Sequence, residues 1–310
     1  MKNLCLLLVG LFLFATGSRC AFADVAERNV TIFSEGIRLH ATLYQSGAAR
    51  APLPTIVMSH GWGGTAAMLR PQAQDFAKAG YLVIAFDYRG WGESGARLVW
   101  NADATSTQPT DNAGGWRALR EVVDPLDQAM DLQNVLHWAA GEPKVDKTRI
   151  GLWGTSFSGG LVVYAAARDR RVHAVVSQVG YMGQALETFP RAQLDKAYAD
   201  ATRRARGELE YPQPGAREIG NLRGAPIREK FLNYAPVNDA ALVNCPILFI
   251  AAEHEELFDN RQHPELAYEH ANEPKRYVVI PGISHYGVYA EARNQATRLA
   301  IDWFNLYLKQ

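Results

Sequence analysis

Gly154-Thr155-Ser156-Phe157-Ser158-Gly159-Gly160 is the stretch on which the reading of this 310-residue chain turns. Ahead of it, Thr148 to Trp153 has the make-up of a short buried strand, and behind it Leu161 to Ala167 that of an apolar helix. A serine on a glycine-pinched turn between strand and helix lifts its Oγ clear of the sheet, because small neighbours let the backbone turn sharply. Such a hydroxyl is a candidate nucleophile but a poor one alone. It needs a base within hydrogen-bond reach and an acid that orients the base.

Working outward, the flanks alternate strand and helix patterns. Arg28 to Ser34 and Ile37 to Tyr44 alternate apolar and polar residues around Glu35-Gly36, which predicts an antiparallel hairpin. Pro54 to Ser59, Tyr81 to Phe86, Val172 to Val179, Pro246 to Ala252 and Tyr277 to Ile280 are apolar runs of strand length. Helix patterns run from about Ala66 to Ala79, Asp124 to Ala140 and Glu291 to Leu308. Continuous apolar strands alternating with helices predict an α/β fold with a mostly parallel sheet covered on both faces. Ligands then bind beyond the carboxyl ends of the strands.

Two stretches break the alternation. Ala96 to Arg117 is polar and predicts a long loop. Residues 181–240 hold a charged helical piece near Ala192 to Glu210 and several turn formers. The second lies between core strands at the ligand end of the sheet, which favours a cap over the site; the alternative is a solvated helical excursion.

The base is sought among eight histidines. His285 follows the last strand in Ile280-Pro281-Gly282-Ile283-Ser284-His285-Tyr286-Gly287, where a loop can carry it toward Ser156. The others fall in strands, on a helix or in a separate cluster, and His60 is expected to hydrogen-bond structurally. The acid falls among the carboxylates after the strand ending at Ala252. Glu255 is the first choice, with Glu256 and Asp259 also open. A calcium loop is not indicated, since the Asp/Asn spacing and loop glycine of an EF-hand are missing. An oxyanion requires two backbone N–H groups. Phe157, next to the serine, and Trp62, in His60-Gly61-Trp62-Gly63-Gly64, are the expected donors, with the Trp62 indole walling the acyl site.

Composition is that of a globular protein, with 48% hydrophobic and 21% charged residues. Met1 to Ala23 stands apart: Lys2 precedes the apolar run Leu4 to Ala15, and Ala21-Phe22-Ala23 forms an A-x-A site. That is the layout of a cleaved secretory signal, too short in its apolar part to span a membrane. Cys5 and Cys20 leave with it, so Cys245 remains as a lone thiol, expected to pack. Arg19 before Cys20 argues against lipidation. Loss of Lys2 and Arg19 takes the formal charge from zero to −2. No basic excess points to nucleic acid.

The segments HGWGG (60–64), FDYRGWGESG (86–95), GLWGTSFSGG (151–160) and PGISHYG (281–287), with an acid after the preceding strand, resemble the α/β-hydrolase superfamily. The resemblance is nearest to its dienelactone-hydrolase-like and serine-peptidase-like esterase branches. It implies an eight-stranded sheet with an antiparallel first pair and acyl transfer to water without a cofactor or metal. It also implies structural roles for Asp87 and Arg89. The chain departs from the usual G-x-S-x-G in carrying Ser158 in place of the last glycine. Ser156 also stands where dienelactone hydrolases proper have cysteine, so their lactone substrate is not carried over.

The expectation is an exported serine hydrolase acting on a small-molecule carboxylic ester through Ser156, His285 and Glu255. Peptidase and thioesterase action on the same residues stay open, as does a non-catalytic binding protein. Aromatic residues on candidate mouth loops (Trp62, Trp91, Trp100, Trp116, Phe157, Tyr181, Phe189 and Tyr286) favour an apolar or aromatic acyl group.

Overall fold

The computed structural model describes residues 24–47, 49–100 and 115–309. The expected secretory signal over 1–23 lies outside the described residues.

The N-terminal hairpin joins β1 (Val25–Ser34) to β2 (Ile37–Ser46) through Glu35-Gly36. Both turn residues have positive φ, the conformation a two-residue hairpin turn demands. Next come β3 (Leu53–Ser59) and β4 (Leu82–Phe86), every residue of which is buried. β5 (Val145–Thr155) carries the chain to the serine turn. β6 (Val172–Gln178), β7 (Ile247–His254) and β8 (Lys275–Ser284) complete the sheet. The spatial order is β1-β2-β4-β3-β5-β6-β7-β8. β2 is antiparallel to both its neighbours, and every other pairing in the sheet is parallel. All strands from β3 onward therefore point their carboxyl ends to one rim.

Helices cover both faces. α1 (Arg70–Lys78) and α6 (Arg293–Leu308) pack on one, through Phe76, Ala296, Ala300, Trp303 and Phe304. α2 (Pro125–Gly141), α3 (Phe157–Ala166) and α5 (Pro264–His270) pack on the other. Asp124 starts α2 by accepting from the N–H groups of Leu126 and Asp127, with Pro125 pre-set at the first helical position. In α6 the apolar spacing of four and three residues turns one stripe onto the sheet.

Several bounds differ from those expected. The elbow strand extends to eleven residues, and β8 runs on to Ser284, so His285 follows it directly. The first helix pattern splits into a 3-10 turn (Ala66–Leu69) and α1, since Pro71 cannot donate to a continuous ladder. The expected polar loop is partly a ribbon: Leu98–Trp100 pairs with Trp116–Ala118, and Trp100 stacks on Trp116 at 3.7 Å. Residues 101–114 lie outside the described residues.

Residues 181–240 rise between β6 and β7. They hold α4 (Arg191–Ala205), a two-residue strand Ala225–Pro226 paired with Val122–Val123, and a 3-10 turn Arg228–Asn233. Of α4 only Ala197 is buried, so this helix lies over the molecule rather than within its core.

Candidate active site

Ser156 sits between β5 and α3 with φ 56° and ψ −125°, a left-handed conformation that costs energy in a residue with a side chain. Close packing enforces it. A Cβ on Gly154 would collide with the Ser158 carbonyl, and one on Gly61 would come within 2.7 Å of Ser156 Cβ. Ser158 takes the place of a third small residue and is wholly buried. Its hydroxyl donates to the His60 carbonyl and accepts from the Tyr88 hydroxyl at 2.8 Å. Serine at this position therefore ties α3 to the loop after β3.

His285 Nε2 lies 3.0 Å from Ser156 Oγ. Its Nδ1 lies 2.8 and 2.9 Å from the two carboxylate oxygens of Glu255. Both side chains are almost fully buried, at 1% and 2% exposure. A ring nitrogen facing a carboxylate carries the proton, which leaves the Nε2 lone pair toward the serine. The other loop acids have separate tasks. Glu256 accepts the backbone N–H of His285 at 2.8 Å, and Glu253 accepts that of Gly282 at 2.7 Å. Asp259 faces outward, caps the turn at Arg261 and pairs with its guanidinium. The loop after β7 is thus stitched to the end of β8, and this fixes the imidazole.

Among the described residues, the backbone N–H groups of Trp62 and Phe157 have no protein acceptor. Phe157 opens α3, where the first N–H groups have no partner within the helix. The Trp62 indole donates to the Gly224 carbonyl at 2.9 Å and meets the Phe157 ring edge-on at 5.5 Å. His60 is buried and held neutral by that burial, with Nδ1 against the Gly61 carbonyl at 3.0 Å. Asp87 accepts from the N–H groups of Ala66 and Glu93. Arg89 is fixed by Asp131, Glu35 and Ser34.

A cavity of about 570 Å³ opens at Ser156. Of the aromatics expected at the mouth, Trp62, Phe157, Tyr181 and Phe189 line it. Trp91 is instead buried against Gly224. Tyr286 packs edge-on to His285, half exposed and outside the lining. Phe231 and Phe258 complete the aromatic wall, and sequence reading passed over both. Phe258 follows the acids directly, so its loop position was a usable signal. Phe231 lies in Arg228–Asn233, where no periodicity marks it.

Two further groups were not foreseen. Tyr289 bonds Thr155 at 2.6 Å, Gln178 donates to the same threonine at 3.1 Å, and burial keeps the phenol protonated. His263 lies between the rings of Tyr181 and Phe258 and accepts the Met182 N–H at 3.2 Å. Burial pushes its pKa down to about 4. Cys245 is partly buried, with its thiol pushed up to about 12.

Together the sheet order, the flanking helices and the strand-turn-helix at Ser156 define an α/β hydrolase. Residues 35–190, just over half of the chain, match the family model described as X-Pro dipeptidyl-peptidase (S15 family), and the chain belongs to that family. Residues 132–278 also match the model for the BAAT / acyl-CoA thioester hydrolase C terminal. The chain is 28% identical over 306 residues to an uncharacterized 31.7 kDa protein in the traX-finO intergenic region of Escherichia coli, covering 89% of this chain and 97% of that one. In structure it is similar to the hypothetical protein PA2218 of Pseudomonas aeruginosa, with TM-score 0.71, 24% identity and coverage of 92% and 95%. It is also similar to the α/β hydrolase GrgF from a Penicillium species, with TM-score 0.69, 20% identity and coverage of 93% and 100%. At these identities the two structures speak for the fold.

Proposed function

We propose that this protein is an exported serine hydrolase that cleaves small carboxylic esters through an acyl-enzyme. The observation that carries the reading is the hydrogen-bonded chain from Ser156 Oγ through His285 to Glu255. Ser156 Oγ attacks the substrate carbonyl carbon while His285 Nε2 takes the hydroxyl proton. The carbonyl oxygen becomes an oxyanion held by the N–H groups of Trp62 and Phe157. Collapse expels the alcohol, which receives the proton from His285. Water then attacks the acyl-serine with His285 again as base, and the acid departs as Ser156 is restored. Glu255 holds the imidazole tautomer and stabilises the imidazolium.

The test is hydrolysis of p-nitrophenyl esters by the purified protein. Ser156→Ala and His285→Ala are expected to lower kcat by roughly 10⁴–10⁶-fold. Turnover by Ser156→Ala equal to wild type would overturn the assignment. Absence of turnover by the wild type across acyl lengths would favour a binding protein on a hydrolase fold.

Thioester cleavage is the second reading, supported by the match to the acyl-CoA thioester hydrolase model. The same groups serve it, and only the leaving atom changes. Comparing oxygen and thioesters of one acyl group separates the two. Export rests on Met1 to Ala23. A mature N-terminus at Asp24, read by mass spectrometry from the exported fraction, is the expected result.

A further inference from the structure

We propose that the chamber beside Ser156 selects an acyl group that is apolar along its length and ends in a carboxylate, received by Lys196 and Arg228, and that it rejects acyl groups bearing a protonated amine. This rests on the reading of Ser156 as the nucleophile and adds a charge preference to it.

The inner wall is aromatic: Trp62, Phe157, Tyr181, Phe231 and Phe258 surround the space next to the hydroxyl. Among the described residues its lining includes no aspartate or glutamate, and its only charged side chains are Lys196 and Arg228. The acids of the loop after β7 are committed elsewhere. Glu253 holds Gly282, Glu255 and Glu256 hold His285, and Asp259 holds Arg261. An ammonium group beside the Ser156 hydroxyl would shed water with no lining carboxylate to pair it, and the Asp200 and Glu218 carboxylates at the chamber are already held by its two cations. That argues against a substrate with a free N-terminus close to the scissile bond, although the matching family is named for a dipeptidyl-peptidase.

Both cations line the same chamber as Ser156. Lys196 lies three residues after Gln193 and one before Ala197 on α4, and all three line the chamber. Arg228 opens the 3-10 turn that carries Phe231. Each cation has one acid partner: Asp200 at 2.6 Å from Lys196 Nζ and Glu218 at 2.9 Å from the Arg228 guanidinium. Both cations are substantially solvent-exposed, and exposed ion pairs are weak. A substrate carboxylate can therefore replace Glu218 or share Lys196 without stranding a buried charge. The guanidinium fork is also suited to holding a carboxylate by two bonds.

The experiment uses the purified full-length protein and three p-nitrophenyl esters of six-carbon acyl groups. These are hexanoate, hydrogen adipate with its free carboxylate, and 6-(trimethylammonio)hexanoate with a fixed cation. The expected order of kcat/KM is anionic, neutral, cationic, with about fivefold between the first two and at least tenfold between the last two. Lys196→Gln/Arg228→Gln should bring the ratio of anionic to neutral ester close to one. Lys196→Glu/Arg228→Glu should reverse the order of the charged esters. Wild-type preference for the cationic ester, or an order unmoved by charge reversal, overturns the proposal. If no ester turns over, the hydrolase reading fails and this one with it. Turnover of hexanoate with the wrong charge order contradicts this proposal alone.

Discussion

Ser158 shows how one hydroxyl can do more than fit a tight turn. Its bond to the His60 carbonyl fastens the loop that carries the Trp62 N–H to the helix that carries the Phe157 N–H. The distance between the two donors is therefore set partly by this residue. Ser158→Ala leaves the His60 carbonyl and the Tyr88 hydroxyl unmatched, and losing such a bond costs about 1–1.5 kcal/mol. If that energy is felt mainly with the oxyanion formed, kcat falls about tenfold while KM stays within twofold. Steady-state kinetics on a neutral ester check this, and an unchanged kcat contradicts it. His263 governs a different property. Held near pKa 4 by burial, it is neutral in the folded protein where the unfolded chain already binds a proton. Its contribution is complete above about pH 6.5 and is lost as pH falls toward 4, by up to roughly 3 kcal/mol. Urea unfolding between pH 7 and 4 should show the decline, and His263→Gln should flatten it. At this scale Ser156 and His285 were legible because each stands in a turn whose shape its neighbours dictate. Glu255 was one of several equivalent carboxylates in sequence. Only the fold gives Glu256 to the histidine backbone and Glu255 to its ring.

Elements differ in how openly the sequence announces them. β3 and β4 are short apolar runs buried on both faces, so composition alone marks them. β8 was expected to stop at Ile280, because exposed Pro281 and Gly282 look like turn residues. Pairing with β7 carries it on to Ser284, with an irregularity after Ala252. Residues 181–240 were legible as an interruption and not as a shape, since α4 buries little and has no strong apolar stripe. Among the contacts that fasten this segment to the body at the chamber is the Trp62 indole N–H bonded to Gly224. Trp62→Phe keeps an aromatic ring, smaller than the indole, and removes that bond. Amide exchange over residues 219–232 should quicken about fivefold, in line with about 1 kcal/mol, while exchange in β3 to β7 is unchanged. Equal exchange in both proteins would show that the indole bond does not hold the segment.

For the whole molecule, the sheet separates stability from chemistry. The core on the face covered by α1 and α6 includes Ile283 and Val288 beside His285, but none of the side chains of Ser156, His285 and Glu255. Phe304 is wholly buried there against Phe76 and Tyr81. Phe304→Ala should cost about 3–5 kcal/mol in urea unfolding and leave kcat/KM within twofold at temperatures where the variant is folded. A large kinetic loss with little loss of stability would mean that the rim is less rigid than the sheet implies. The fold as a whole was legible because parallel strands buried on two faces leave a strong apolar signal. The chamber was not, because its wall is assembled from loops far apart in sequence.

The most direct test of the account is the site and rate of covalent labelling by a fluorophosphonate. The reagent captures a serine only when a neighbouring base makes it nucleophilic. Peptide mapping by mass spectrometry should place one adduct on Ser156 in the wild type, with labelling slowed at least a thousandfold in His285→Ala. An unlabelled wild type, an adduct on another residue, or equal rates in the two proteins would contradict it.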